Sequence, residues 1–417
     1  MAVTTNARRS APERPWLGQW NSAVTSYYLL VGATGLLLVI GLVMVLSSST
    51  VTSIAEGKSP YAQFLVQARW ALLGMPFMLV ATRIPVRWYK RLAWPALFVA
   101  LGLQSLTLVP AFALSQGGNT GWIHLGGGVV VQPAELGKLA LAVWLGTVLG
   151  RKQHLLGSWG HAFMPAVPGA LALVGLIMAG HDLGTAIVVV ALVAGALWVS
   201  GAPAKMLVLG GTLASAAVFF LFVRGNSNRM SRILATYGEC ADPQGECYQS
   251  IHGLYGLGTG GLFGVGLGAS REKWRYLPEA HNDFIYAIIG EELGLLGTLL
   301  VLALFAVLGV AMARVVRRHT DPFVKITTAA VACWIVGQAF VNIGVVIQVL
   351  PVIGIPLPLV SAGGSALVTT MAALGMVIGF ARTEPGAAEA LAARGSVVRR
   401  SLAVVGRGRD RVRLRGR

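Results

Sequence analysis

The sequence predicts an all-α polytopic membrane protein of ten transmembrane helices, with both termini cytoplasmic and a large extracytoplasmic loop between helices seven and eight. Three observations predict it. The 417 residues are 55% hydrophobic and only 12% charged, and the mean hydropathy is +0.70, unlike a soluble domain. Apolar runs of spanning length recur from about residue 27 to residue 381. The short loops rich in Lys and Arg all fall on one side of the membrane under this count, as the positive-inside rule requires.

Residues 1–26 form a polar cytoplasmic tail with Arg8, Arg9 and Arg14, unlike a cleavable signal. Span one covers about 27–46 and span two about 64–81, with Arg69 toward its outer end. The loop RIPVRWYKR carries Arg83, Arg87, Lys90 and Arg91 and lies inside; its Trp88 and Tyr89 suit the interfacial belt. Span three covers about 92–110. A Gly-rich loop, SQGGNTGWIHLGGGVVVQ, then leads to span four at about 133–149, where Pro133 takes a tolerated first-turn position. Spans five, six and seven cover about 162–180, 185–200 and 206–223. The connection 224–282 is the longest and lands outside; its charges do not oppose that, because long loops translocate largely regardless of charge. Span eight, about 283–312, reads as continuous. Span nine covers about 324–347, and a proline-broken loop, PVIGIPLPLVSAGG, precedes span ten at about 365–381. These spans make one membrane domain, 27–381, followed by a basic disordered cytoplasmic tail, 382–417.

The net charge of +17 sits largely in that tail. It is the ordinary topological signal and can touch anionic lipid head groups. Nucleic acid need not be invoked. Of three cysteines, Cys333 lies in an apolar span, while Cys240 and Cys247 bracket the polar loop CADPQGEC. On an oxidising face that pair suits a disulfide; in the cytosol, two free thiols.

The costly polar groups collect toward the outer leaflet. Arg69, Glu135, Lys138, Asp182, Asp283, Asn342 and Gln348 all fall there, and only Glu291 and Glu292 lie deeper, about 12–14 Å along the axis from Asp283. An ion pathway would spread carboxylates through the bilayer, whereas this distribution describes a cavity opening outward. Each group also has a structural reading. Asn282 or Asp283 can cap a helix, Glu135 and Lys138 share a helix face as an i,i+3 pair and can stitch helices together, and Glu291 and Glu292 can be held by a structural partner.

Five blocks, in order, resemble the SEDS family (shape, elongation, division and sporulation): GWI at 121–123, QPAELGK at 132–138, DLGTA at 182–186, AHNDFIYAIIGEELGLLG at 280–297 and PLPLVSAGGS at 356–365. The resemblance covers about residues 27–382, and the polar tails at both ends are most similar to division-type members from actinobacteria. His181, Asn282 and Ala362 depart from the usual Pro, Thr and Tyr of the family pattern.

The resemblance implies a peptidoglycan glycosyltransferase that polymerises lipid II, a disaccharide-peptide on undecaprenyl pyrophosphate, at the outer face of the cytoplasmic (inner) membrane and at the division septum. It implies a class B penicillin-binding protein as transpeptidase partner, alongside other membrane proteins of the division complex. An elongation-type polymerase and a lipid II flippase are the alternatives within the family, and an ion-coupled transporter using Glu291 and Glu292 is the alternative outside it. Polymerisation requires a general base for the acceptor hydroxyl, and Asp283 is the candidate. The pyrophosphate leaving group requires positive charge, which Lys138, Arg271 and Lys273 would supply, with Arg69, Arg224, Arg229, Arg232 and Arg275 also available; for Arg271 and Lys273 a solvated loop face is the plain alternative. Trp122 is the candidate acceptor platform, or else an interfacial anchor. The glycines from Gly256 to Gly268 would let backbone approach a phosphate or sugar, or would pack on helix ends. The family pattern adds Glu135, His281, Glu291 and Ser361 to the substrate-binding set. A divalent cation, Mg or Mn, is compatible with the chemistry, and no resident metal site is expected.

Overall fold

The computed structural model describes residues 22, 24–116, 119–124, 126, 130–224, 227–238, 244–245 and 247–392. Most of the N-terminal tail, Cys240 and the end of the C-terminal tail lie outside them. The helices are α1 Thr25–Ala55, α2 Ala62–Ala81, α3 Val86–Ser105, α4 Pro133–Arg151, α5 Trp159–Phe163, α6 Ala166–Ala179, α7 Leu183–Ser200, α8 Ala204–Ala217, α9 Ser227–Tyr237, α10 Tyr248–Gly260, α11 Ile285–Arg318, α12 Pro322–Val346 and α13 Gly364–Arg382. Each of the ten expected spans coincides with a helix or, for span five, with the α5–α6 pair. Among the described residues, eight helical stretches are long and apolar enough to cross a membrane. α4 is not one of them, since Glu135 and Lys138 occupy its first turns, and α8 belongs to a shorter apolar helix, Ala204–Phe220.

α4 is the axis of the bundle. Most of its residues are buried, both charged ones in its first turns included, with Leu136 exposed, as expected of a helix largely enclosed by others. It packs against α3, α6, α7, α12 and α13. Between apolar helices, close approach needs small residues. A Cβ placed on Gly375 of α13 would lie 2.3 Å from the Met78 carbonyl oxygen of α2, and one on Gly41 of α1 would lie 2.4 Å from the Leu359 carbonyl oxygen.

Three expectations need correction. The fold is mostly helical but not all-α: the Gly-rich segment after α3 forms an antiparallel sheet of β1 Ala113–Gln116, β2 Asn119–His124 and β3 Val130–Val131, in the order β1-β2-β3. Its signal is period-two alternation, with Gly121 and Ile123 of β2 buried and Trp122 half-buried between them. The segment 224–282 is not one loop, because it contains α9 and α10. Gly256, Gly258 and Gly260 belong to α10. Gly256 and Gly260 seat it on α11, where a Cβ on Gly260 would sit 1.9 Å from the Gly290 carbonyl oxygen.

The third correction concerns the eighth span. α11 is broken at Gly294, whose φ of 69° and ψ of −166° are not helical. Glycine alone adopts this conformation at little cost. The carbonyls and amides freed by the break are taken up by the chain after α10. Val265 and Gly266 donate to the carbonyls of Glu291 and Glu292 at 2.9 and 3.1 Å, while Leu295 and Leu296 donate to Gly261 and Leu262 at 2.9 and 3.3 Å.

Candidate active site at one end of the bundle

Asp283 lies two residues before α11. Neither it nor Asn282 caps that helix: Phe284 holds the cap position, and no side chain bonds there. The Asn282 side chain turns back and donates to Glu279 Oε2 at 2.7 Å. The main chain from His281 to Asp283 is pinned from two other helices. Asn342 Nδ2 on α12 donates to the Asp283 carbonyl oxygen at 2.7 Å and to that of Ile355 at 2.8 Å. Ser361, just before α13, donates from Oγ to the Asn282 carbonyl oxygen at 2.6 Å and accepts from Leu357 N at 2.8 Å. Ala362 N donates to the His281 carbonyl oxygen at 3.0 Å. Gln67 on α2 fixes this turn in its place, donating to the Ser361 carbonyl oxygen and accepting from Gly363 N, both at 3.1 Å.

The carboxyl group of Asp283 is treated differently from its backbone. Among the described residues, no donor reaches it within hydrogen-bond distance. Gly354, with φ of +75°, leaves space beside Oδ2: even a Cβ there would stand 3.6 Å away. Burial pushes the carboxyl up to about 7, with the charges of Glu279 and Asp182 adding to the rise and Arg232 opposing it. An acid at that value is poised to take a proton near neutral pH. Beside it, burial lowers the His281 imidazole from its ordinary value, against the pull of Glu279 and Glu56.

The facing wall comes from the other matched blocks. Asp182 caps α7, accepting from Thr185 N at 2.9 Å and Thr185 Oγ1 at 2.8 Å, and also from Gln132 Nε2 at 3.1 Å. Gln132 N donates to Ser365 Oγ at 3.0 Å. Thr120 N of β2 donates to the Gly180 carbonyl oxygen at 3.0 Å. A Cβ on Gly121 would come within 3.5 Å of Asp182 Oδ2, so β2 lies against the α7 entry and places half-buried Trp122 on the opposite face of that strand. Four of the five blocks, up to about 230 residues apart in the chain, are thus joined by one hydrogen-bonded network, and the GWI block lies against it at Gly121.

The expected cations separate. Lys138 Nζ pairs with Glu135 at 2.8 Å, donates to Gln338 Oε1 at 3.2 Å and lies 4.9 Å from the centre of the Trp334 ring. Gln338 in turn donates to the Pro356 carbonyl oxygen at 2.9 Å. Glu135 and Lys138 therefore form a buried layer supporting the 351–361 turn, the stitching role allowed above. Lys273 Nζ is buried against Glu292 at 3.1 Å and the Gly268 carbonyl oxygen at 2.6 Å. Arg271 holds Glu291 through its backbone amide at 2.8 Å, while its side chain faces solvent. Arg69 is exposed on α2, two residues and so about 200° round the helix from Gln67. The cation whose charge reaches Asp283 is Arg232 on α9, an exposed side chain with a single long bond, 3.4 Å, to the Val352 carbonyl oxygen.

Glu291 is likewise not part of the Asp283 site. It accepts from Ser270 Oγ in a very short bond, from Arg271 N, and from Glu272 N at 3.3 Å. Glu292 accepts from Ser47 Oγ of α1 at 2.6 Å and from Lys273. Together they clasp the 264–273 segment to α11. Cys247 is buried and disulfide-bonded, and Cys333 is free; Cys240 lies outside the described residues. The residues that do hold the site and were given no role from sequence are Asn342, Gln67, Gln132 and Asp182. Each sits at the outer end of a span, which was the available signal; its partner was not readable without the fold.

A family model described as "Cell cycle protein", covering FtsW, RodA and SpoVE, matches residues 28–385. A Mycobacterium tuberculosis protein named "Probable peptidoglycan glycosyltransferase FtsW" is 38% identical over 387 residues, 92% of this chain and 73% of that one. Stage V sporulation protein E of Bacillus subtilis is 35% identical over 356 residues, 85% and 96% of the two chains. Among solved structures, the Thermus thermophilus rod shape determining protein RodA is similar with a TM-score of 0.64 at 26% identity, covering 86% of this chain and 97% of that one. A chain of a peptidoglycan synthase complex that coordinates polymerization and crosslinking is similar with a TM-score of 0.69 at 25% identity, over 85% and 97%.

Proposed function

Because the chain belongs to the FtsW, RodA and SpoVE family of cell cycle proteins, we infer that it is a peptidoglycan glycosyltransferase, polymerising lipid II into glycan strands for the division septum. The observation that carries this reading is Asp283. Its backbone is fixed by Asn342, Ser361 and Ala362, while its carboxyl is free of donors and raised to about 7. A rigid base with an open lone pair is what deprotonation of a sugar hydroxyl requires. As the acceptor oxygen attacks the anomeric carbon of the donor, its proton passes to Asp283 and the pyrophosphate departs, with inversion and no covalent intermediate. Arg232 stands where it can meet the charge that builds on the leaving group; Trp122, on the face of β2 turned from Asp182, is left as the interfacial anchor. Among the described residues no group of three or more His, Cys, Asp or Glu could hold a metal.

The same reading gives ten crossings with both termini cytoplasmic, α4 and α8 completing the eight longer spans. It places the α9–α10 segment, with disulfide-bonded Cys247, outside, and a class B penicillin-binding protein beside the bundle. A gel assay of strands made from labelled lipid II tests the chemistry. The wild-type protein with its transpeptidase partner is expected to make polymer, and Asp283→Asn, equally folded and partner-bound, is expected to make none. Near-normal polymer from that variant would remove Asp283 as the base.

A further inference from the structure

We propose that the cytoplasmic end of the α2–α3 hairpin is a binding site for an anionic diacyl phospholipid of the inner leaflet. Two cavities meet there, far from Asp283. One, of about 710 Å³, is lined by Leu79, Val80, Ile84, Trp88 and Leu92 together with Arg83 and Pro85. The other, of about 570 Å³, runs from Thr82, Arg83 and Val86 across to Arg382 and Thr383 at the end of α13 and on to Leu391. Arg83 lines both. The first is an apolar groove open to the side of the bundle, suited to an acyl chain; the second is flanked by two guanidinium groups, suited to a phosphate.

Charge selects the occupant. Among the described residues, Arg83, Arg87 and Arg382 have no ion-pair partner. The neighbouring acids are engaged elsewhere: Asp321 by Lys90 at 2.7 Å and Glu384 by Arg318 at 3.2 Å. Glu389 is exposed on the segment beyond α13 but does not line either cavity. Trp88 lies on the groove with Arg91 5.6 Å over its ring, the arrangement of an interfacial aromatic beside a cationic belt. Uncompensated arginines at the cytoplasmic boundary, bordering an acyl-sized groove, match an anionic head group and its tail. The site rests on the membrane orientation given above and not on the reaction, so it stands or falls separately from Asp283.

The test uses the full-length protein in nanodiscs of phosphatidylcholine and phosphatidylglycerol, with photoactivatable analogues of each lipid and mapping of the cross-linked peptides. The phosphatidylglycerol probe is expected to mark 79–92 and 383–392 more strongly than the phosphatidylcholine probe. Arg83→Gln and Arg382→Gln should each lower that labelling about fivefold, the value of one basic side chain near an anionic surface, while Lys205→Gln, at another cytoplasmic turn, leaves it unchanged. Equal labelling by the two probes, or undiminished labelling of the Arg83→Gln, Arg382→Gln double variant, would overturn the proposal and reduce the groove to ordinary annular contact.

Discussion

Asp283, just before α11, and the Glu291–Glu292 pair, within its first turns, lie within ten residues of one another, and the fold uses them in opposite ways. Around Asp283 every strong hydrogen bond goes to the main chain and none to the carboxyl. Around Glu291 and Glu292 the carboxylates themselves are saturated by Ser270, Arg271 N, Ser47 and Lys273. A buried carboxylate whose donors are all supplied by its own protein is a structural tie. One that is held rigid yet left without donors has capacity for a substrate. Under the proposed function, the contrast separates an acid kept for chemistry from two kept for architecture.

The largest expected effect breaks the comparison at its chemical end. Asp283→Asn should lower strand synthesis by about 10²–10⁴-fold, the usual contribution of a positioned base, with thermal stability at neutral pH preserved or raised. The pH dependence sharpens this. Asp283 holds its proton up to about 7 in the folded protein, against 3.8 ordinarily. Folded protein thus binds the proton more tightly than unfolded, and this group's stabilising contribution is full at low pH and falls as pH rises from about 4 to 7. Polymerisation should rise across the upper part of that window. Asp283→Asn should gain stability relative to wild type above pH 7, and the gain should vanish toward pH 4; melting curves at the two pH values check both signs.

Next comes the architectural end. Glu292→Ala leaves Lys273 buried without its partner and should cost about 3–5 kcal/mol, read as a lower melting temperature together with lost activity, whereas Asp283→Asn loses activity alone. A smaller effect tests the main-chain hold. Asn342→Ala removes the donor shared by Asp283 and Ile355 and should cost about 1–3 kcal/mol, with kcat falling more than KM changes. Smallest of all, Arg69→Gln should alter stability by less than about 0.5 kcal/mol and leave polymerisation unchanged, because Gln67 is the α2 residue that faces the site. A large loss with Arg69→Gln would mean that face has been misassigned.

Much of this architecture was legible in the residues. Apolar runs located the helices, because lipid leaves few other solutions. Asp283 stood out as an acid at the mouth of a long apolar run. Lys138 and Lys273 were open to two readings for a physical reason: a cation at the right depth is equally a phosphate ligand or half of a buried pair, and the sequence does not show that Glu135 and Glu292 are their neighbours. The break at Gly294 was hidden because GEELGLLG keeps a helical apolar pattern; what interrupts it is the chain after α10, some thirty residues earlier in the sequence. Arg232 gained its significance from α9, an element masked by a polar, charge-bearing stretch that resembles loop.

The ladder joining Val265, Gly266, Leu295 and Leu296 to the interrupted helix also fixes the tolerance of this region to length change. Each rung matches a particular amide to a particular carbonyl, so adding or deleting one residue between Gly260 and Gly266 would shift every rung and strand polar main chain in an apolar setting. These few positions behave as a splice of fixed size.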